Sequence, residues 1–112
     1  MKRLILLAIL AIIPCQAFGK FAGPCYKIRG RLSYYNGAPS TRIWIVGTHR
    51  ILGIPAEDTE LPSNIKAFLK DFDDQIFADF VVCPLTPETR DTMRMVLVKS
   101  ASRVVHRRVF PN

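Results

Sequence analysis

The stretch from Tyr26 to Ile54 constrains the fold most strongly, because apolar and polar residues alternate along it. Along residues 26–35 one face carries Tyr26, Ile28, Gly30, Leu32 and Tyr34, and the other carries Lys27, Arg29, Arg31, Ser33 and Tyr35. A period of two with one apolar and one polar face is typical of a half-buried β-strand. The first strand of the chain is therefore predicted here.

Two further strands follow within the same stretch. Asn36-Gly37 favours a turn, and Pro39 predicts that the connection is wider than a two-residue hairpin loop. Residues 42–46 and 51–54 have the pattern of a second and a third strand, joined by a turn at residues 47–50. We expect an antiparallel meander.

The N-terminus has the layout of a secretory signal peptide. Positive residues 2–3 precede an apolar run over residues 4–13, and Pro14-Cys15-Gln16-Ala17 supplies a helix breaker and small residues. The run is about half of the ~20 residues that a membrane-spanning helix needs. We predict a signal peptide over residues 1–17 with cleavage at about 17–19, a periplasmic or secreted location, and no stable membrane span after cleavage.

The cysteine count supports this location. The chain has 3 cysteines, and removal of the signal peptide takes away Cys15 and leaves the pair Cys25 and Cys83. Paired cysteines in an exported domain are typical of a disulfide. A loop of about 58 positions closed in this way contributes about 4 kcal/mol in the chain-entropy model. The alternative is two buried free thiols, if the chain stays in the cytosol.

The second half of the chain predicts a helix followed by two strands. A helix starts at Pro62-Ser63, with the Ser63 hydroxyl as its cap, and ends near residues 71–74. Its apolar stripe at helical spacing is Ile65, Phe68, Leu69 and Phe72. Strands are predicted at residues 76–83 and 93–98, with an extension of the latter through residue 105 left open, and residues 106–112 as a basic, frayed tail.

The order β-β-β-α-β-β makes this a mainly β chain with one short helix. It resembles the oligonucleotide/oligosaccharide-binding (OB) fold, a five-stranded Greek-key barrel whose helix lies between strands three and four. Phe21-Ala22-Gly23-Pro24 is also similar to the lead-in of small periplasmic members of that fold. The resemblance implies a single barrel domain over residues 20–105, and no functional residue is carried over from it.

In such a barrel the first strand pairs antiparallel with the fourth, which sets a register. If Cys25 lies opposite Cys83, paired residue numbers sum to 108. The apolar partners are then Tyr26 with Val82, Ile28 with Phe80, Gly30 with Ala78, and Leu32 with Ile76. On the other face Arg29 meets Asp79, an opposite-charge cross-strand pair. A slip of one residue would destroy all of these matches, so we predict an Arg29–Asp79 ion pair.

Charge is distributed in blocks along the chain. Residues 20–54 carry six Lys or Arg and no acid, residues 55–91 carry nine acids and three bases, and residues 92–112 carry five bases and no acid. Blocks of this kind indicate either an anionic partner or basic strands neutralised by the acidic middle segment. Neutralisation within one domain is the commoner case.

The candidate ligand-binding residues are Arg29, Arg31, Arg42 and Trp44, with Tyr35 near the turn. They are predicted on the outer face of the first two strands, where guanidinium groups beside aromatic rings suit anionic or stacked ligands. The alternative is that the tail or the helix covers Trp44 and that the arginines pair with Asp79 and with an acidic loop at residues 55–60.

Catalytic and metal-binding patterns are missing from the sequence. His49 and His106 have no second ligand at metal spacing, and with Cys83 in a disulfide no Cys–His or Ser–His–Asp arrangement is indicated. Residues 71–74 resemble the start of a calcium loop, but Ile76 and Val82 stand where that loop needs glycine and glutamate. We therefore predict no enzyme, no cofactor and no metal.

The sequence thus indicates a small exported binding module whose ligand it does not identify, with an anionic polymer, a glycan or an envelope protein as the candidates. The alternative function is a structural or protein-interaction component of the cell envelope that binds no small ligand.

Overall fold

The computed structural model describes residues 21–56 and 61–109. The predicted signal peptide and its cleavage site lie outside the described residues. Five strands and one helix follow in the predicted order: β1 Tyr26–Tyr34, β2 Thr41–Ile45, β3 Ile51–Ile54, α1 Ser63–Lys66, β4 Asp74–Pro84 and β5 Arg94–Arg108. The prediction of a mainly β chain with one short helix is confirmed.

The five strands form one sheet that closes into a ring in the order β1-β2-β3-β5-β4. Four of the five strand pairs are antiparallel, and β3 pairs with β5 in parallel through Leu52 opposite Arg94 and Gly53 opposite Met95. Six residues, 35–40, connect β1 to β2, which confirms a connection wider than a two-residue loop. The ring has an inner and an outer face.

The register between β1 and β4 is the one predicted from the sequence. Tyr26 lies opposite Val82, Ile28 opposite Phe80, Gly30 opposite Ala78 and Leu32 opposite Ile76. On the outer face Arg29 lies opposite Asp79, and its Nη1 is 3.3 Å from the Asp79 Oδ1. Because side chains alternate between the two faces of a strand, this register places the apolar side chains of these pairs on the inner face of the ring.

A disulfide joins Cys25 and Cys83, as predicted, across a Cα–Cα distance of 4.1 Å. It lies next to the Tyr26–Val82 pair, where β1 begins and β4 ends. A disulfide points to an oxidising compartment outside the cytoplasm.

The hydrophobic core fills the inside of the ring, and every strand contributes to it. Its buried members are Leu32, Ile43, Leu52, Ile54, Ile65, Leu69, Ile76, Ala78, Phe80, Val82, Val96 and Val98. Ile65 of α1 is fully buried, so the helix closes part of the core that the strands leave open.

The helix differs from the prediction in length, cap and stripe. It spans four residues, its N-cap position is Pro62, and Ser63 makes no capping hydrogen bond. Ile65 and Leu69 are buried, but Phe68 is 40% and Phe72 is 55% exposed. The apolar stripe predicted from the periodicity is therefore wrong for Phe68 and Phe72, because the helix ends at Lys66.

Strand β5 is longer than predicted, and it includes the first three residues, 106–108, of the segment predicted as a frayed tail. It continues to Arg108, and the Val109 N–H donates to the Asp73 carbonyl at 2.8 Å. Residues 110–112 lie outside the described residues. Two register shifts interrupt its pairing with β4, between Phe77 and Asp79 and between Val81 and Val82. These shifts break the alternation that a longer strand would show in the sequence.

Asp74, the first residue of β4, holds both the end of the helical segment and the end of β5. Its carboxylate accepts the N–H of Lys70 at 2.8 Å and of Asp71 at 3.1 Å, and it lies 2.7 Å from His106 Nε2 and 2.9 Å from Arg108 Nη1. Burial opposes ionisation of this side chain, but the bonds from His106 and the two backbone groups outweigh burial and hold the Asp74 pKa well below its usual range.

The disulfide predicts a measurable contribution to stability. Replacement of both cysteines, C25S/C83S, should lower the free energy of unfolding by about 4 kcal/mol, because the unfolded chain loses its covalent loop. Urea unfolding of the oxidised protein and of the double variant gives the difference. An unchanged free energy of unfolding would show that the bond contributes nothing to this fold.

The buried carboxylate predicts a second effect. Asp74→Ala should lower the free energy of unfolding by about 3 kcal/mol, because it leaves His106, the Nη1 group of Arg108 and two backbone donors without their acceptor. Asp73→Ala is the matched control: its side chain is 40% exposed and 3.7 Å from Arg108, so its loss should cost under about 1 kcal/mol. Urea unfolding compares the two, and hydrogen exchange should quicken at residues 104–109 in the first variant. Equal losses would contradict the assigned role.

Candidate functional site

The outer face of four neighbouring strands, β5, β4, β1 and β2, carries arginines and aromatic rings in adjacent positions. Strand pairing places Val105, Phe77, Arg31 and Trp44 in one row across the strands. Neighbouring strands lie about 4.8 Å apart, so this row is about 14 Å wide.

Arg31 and Trp44 form the centre of this face. The Arg31 guanidinium carbon lies over the indole ring, 4.8 Å from the ring centroid. The indole Nε1 donates to the Thr48 carbonyl at 2.7 Å, which uses the one polar group of the ring. Trp44 is half-buried, and Arg31 Nη2 is 3.4 Å from the Tyr35 hydroxyl. The pair is held by contacts on both of its members.

Arg42 is fixed on the connection between β1 and β2. Its guanidinium carbon lies 4.9 Å from the centroid of the Tyr35 ring. Its Nε donates to the Pro39 carbonyl at 2.7 Å, and its Nη2 lies 3.4 Å from the Asn36 carbonyl oxygen. The connection thus determines where this charge sits.

Arg29, Asp79 and Arg103 form an ionic cluster. It lies at the register shift between Phe77 and Asp79 of β4, which falls at residues 103–104 of β5. Arg103 has a positive φ of 50° there, which costs a non-glycine residue about 1 kcal/mol or more. Its Nη2 donates to Asp79 Oδ1 at 3.0 Å, and Arg29 Nη1 donates to the Arg103 carbonyl at 2.9 Å. The bulge directs the Arg103 side chain at the carboxylate.

These arginines also determine the ionisation of the carboxylate. The hydrogen bond from Arg103 is the main cause of a lowered Asp79 pKa, and the bond from Arg29 adds to it. Together they outweigh burial, which would raise the pKa. The pKa of Asp79 is lowered to about 2. Asp79 is therefore charged at every physiological pH, and it neutralises one of the two arginines beside it.

A shallow hollow of about 230 Å³ lies at the β5 end of the face, lined by Arg29, Phe77, Val105 and Arg107. The Arg107 guanidinium carbon is 5.7 Å from the Phe77 ring centroid. Val105 is 45% exposed, so the floor of the hollow is partly apolar.

We call this surface the arginine face and define it by Arg29, Arg31, Arg42, Trp44, Phe77, Arg103 and Arg107. Five arginines and the single carboxylate of Asp79 give it a net charge of 5 − 1 = +4. Within residues 21–56 and 61–109, Arg31, Arg42 and Arg107 form no ion pair. Acidic residues 57, 58 and 60, which were considered as their partners, lie outside the described residues.

All four candidate binding residues lie on this face, whereas sequence reasoning missed Phe77, Arg103 and Arg107. The predicted register already places Phe77 beside Arg31, so Phe77 could have been predicted from the sequence. The two arginines were not, because their positions depend on the bulge and on the full length of β5.

The loops at another part of the ring hold a second group of charges. Glu88 forms ion pairs with Arg50 and with Arg94, the latter at 3.4 Å. They adjoin an open hollow of about 520 Å³ that is lined by Arg50, Glu88, Thr89 and Arg90. Because a carboxylate already bridges two of its arginines, this group holds less unpaired positive charge than the arginine face.

Among the residues that the structure describes, no three His, Cys, Asp or Glu side chains are grouped in a way that would hold a metal ion. His49 lines a loop hollow, and His106 stacks on Phe68 with ring centroids 5.1 Å apart. The described part of the chain also contains no helix of the length and hydrophobicity needed to cross a membrane.

Comparison of the chain with protein-family models, with curated proteins and with solved structures finds no match. The geometry of the arginine face is therefore the basis for any functional statement.

The ionic cluster predicts a specific dependence of stability on pH. A carboxylate whose pKa is lowered on folding stabilises the fold above its ordinary pKa of 3.8, and the effect is lost as the pH falls toward about 2. The wild type should thus be more stable than Asp79→Asn near neutral pH, and the difference should shrink below about pH 4. Urea unfolding at a series of pH values measures it. Asp91→Asn, in an exposed loop, is the control, and a constant difference down to about pH 2 would contradict the assignment.

Proposed function

We propose that this chain is a small exported binding module that holds an anionic polymer on the arginine face. The observation that carries the proposal is the row of guanidinium groups held in place by aromatic rings, with Arg31 over Trp44 and Arg107 over Phe77. Arginines fixed in this way lose little side-chain entropy when a ligand binds, which favours affinity.

Export is part of the proposal. The N-terminal pattern over residues 1–17 and the Cys25–Cys83 disulfide support a periplasmic or secreted location. We further propose that the closed ring is an OB-like Greek-key barrel, because the helix falls between β3 and β4 and β1 pairs with both β2 and β4. In such barrels a ligand often lies across the outer face of strands two and three. The arginine face reaches that region at β2 through Arg42 and Trp44, and the rest of it lies on β1, β4 and β5.

The second candidate function is a structural or protein-interaction role in the cell envelope. It is favoured by an apolar patch around α1, where Phe68 is 40% and Phe72 is 55% exposed. Phe72 contacts Tyr34 with ring centroids 5.9 Å apart, so the patch extends onto β1. A face of this kind suits contact with another protein.

Binding to dextran sulfate tests the first function. The protein should bind it at low salt, and affinity should fall steeply between about 50 and 500 mM NaCl as ions screen the exposed charges. Arg31→Ala and Arg107→Ala should each weaken binding about tenfold, since each removes charge-assisted hydrogen bonds. Isothermal titration calorimetry measures the affinities, and thermal unfolding checks that each variant is folded.

Arg90→Ala is the matched control, because it removes the same charge from an exposed loop outside the arginine face. It should bind like the wild type. Equal losses in all three variants would indicate attraction by net charge alone, and an absence of binding at low salt would leave the protein-interaction role as the better account.

A further inference from the structure

We infer that the occupant of the arginine face is an acidic polysaccharide, recognised through its sulfate or carboxylate groups and not by stacking on the aromatic rings. This inference rests on the proposed function and narrows it to one class of ligand. The reasons lie in how the rings and the guanidinium groups of the face are already used.

The aromatic rings are engaged within the protein. Arg31 lies over Trp44, Arg42 over Tyr35 and Arg107 over Phe77, at 4.8, 4.9 and 5.7 Å from the ring centroids. The indole N–H is used by the Thr48 carbonyl, and the Tyr35 hydroxyl lies within reach of Arg31. A base or a neutral sugar that stacks on a protein needs an open ring, and here an arginine would have to leave first.

The guanidinium groups, in contrast, have N–H donors that form no hydrogen bond within the described part of the chain. Each arginine carries five N–H donors. Within the described part of the chain, Arg31 uses one of them on Tyr35, and the Arg107 guanidinium contacts the Phe77 ring and donates no hydrogen bond. The Arg31 Nε is buried with no acceptor among these residues, so the donors that Arg31 can offer to a ligand are those of its Nη atoms. Carboxylate and sulfate groups present paired oxygens that match a guanidinium fork.

The shape of the face favours a polymer over a small anion. Its hollow measures about 230 Å³, which is below the range of about 300–1,000 Å³ that encloses most small ligands. The charges extend from Arg107 on β5 to Arg42 on β2, so they cross four strands of the sheet. A chain of repeated acidic sugars lying across the strands meets several of them at once.

Acidic glycan is favoured over nucleic acid by the same observations. Single-stranded nucleic acid is bound largely by stacking of bases on open aromatic rings, and duplexes by elements that enter a groove. The disulfide points to an extracytoplasmic setting, away from most of the nucleic acid of a cell.

The test compares four probes of similar length on the full chain: heparin fragments, neutral dextran, single-stranded oligo(dT), and an abasic deoxyribose-phosphate oligomer. We expect heparin fragments to bind at least about tenfold more tightly than oligo(dT), oligo(dT) to bind no better than its abasic form, and neutral dextran not to bind. Arg31→Lys keeps the charge and loses the fork, so it should weaken heparin binding severalfold. Arg90→Lys makes the same exchange in the exposed loop outside the arginine face and should bind like the wild type.

Other outcomes separate this inference from the proposed function. Tighter binding of oligo(dT) than of its abasic form and of heparin would identify a base-stacking surface. Tighter binding of both phosphate oligomers than of heparin would identify a phosphate polymer as the ligand. Either result overturns the inference that the ligand is a polysaccharide, but it keeps the proposal that the arginine face binds an anionic polymer. If none of the charged probes binds, or if Arg31→Ala and Arg107→Ala bind heparin as Arg90→Ala does, the proposed function fails as well.

Discussion

The antiparallel pairing of β1 with β4 is the constraint on which the rest of this structure depends. One register determines both surfaces of the sheet: it turns Leu32 and Ile76 into the core and places Arg31 beside Phe77 on the outside. A shift of one residue would exchange the two faces, burying arginines and exposing the core. The Cys25–Cys83 bond adjoins the first pair of this ladder and so ties the register covalently.

Gly30 shows how closely this pairing brings the strands together. A β-carbon at that position would overlap the Cγ2 atom of Ile43 and lie 3.2 Å from the Trp44 carbonyl oxygen. Ile43 is fully buried and has no room to move aside. The glycine therefore allows β1 and β2 to approach closely enough for the sheet to curve, and it keeps Trp44 beside Arg31 on the outer face.

The sequence predicted the strands whose alternation is regular, and it failed where a buried polar interaction overrides local pattern. β1 follows directly from alternation, β3 from a short apolar run that ends at Pro55, and the β1–β4 register from the placement of Cys25 opposite Cys83. The helix was predicted too long because the N–H groups of Lys70 and Asp71, which a longer helix would turn toward its own carbonyls, bind the Asp74 carboxylate instead. The apolar periodicity of residues 65–72 contains no information about a carboxylate that belongs to the following strand.

The same carboxylate explains why only part of the arginine face was foreseen. Asp74 also binds His106 and Arg108, and these contacts keep the last residues of β5 paired with β4. Arg107 reaches the Phe77 ring because its two neighbours are held in this way. A buried aspartate at the edge of the core thus determines the geometry of a charged surface on the outside, and residues that looked like a basic tail become one end of the candidate binding site.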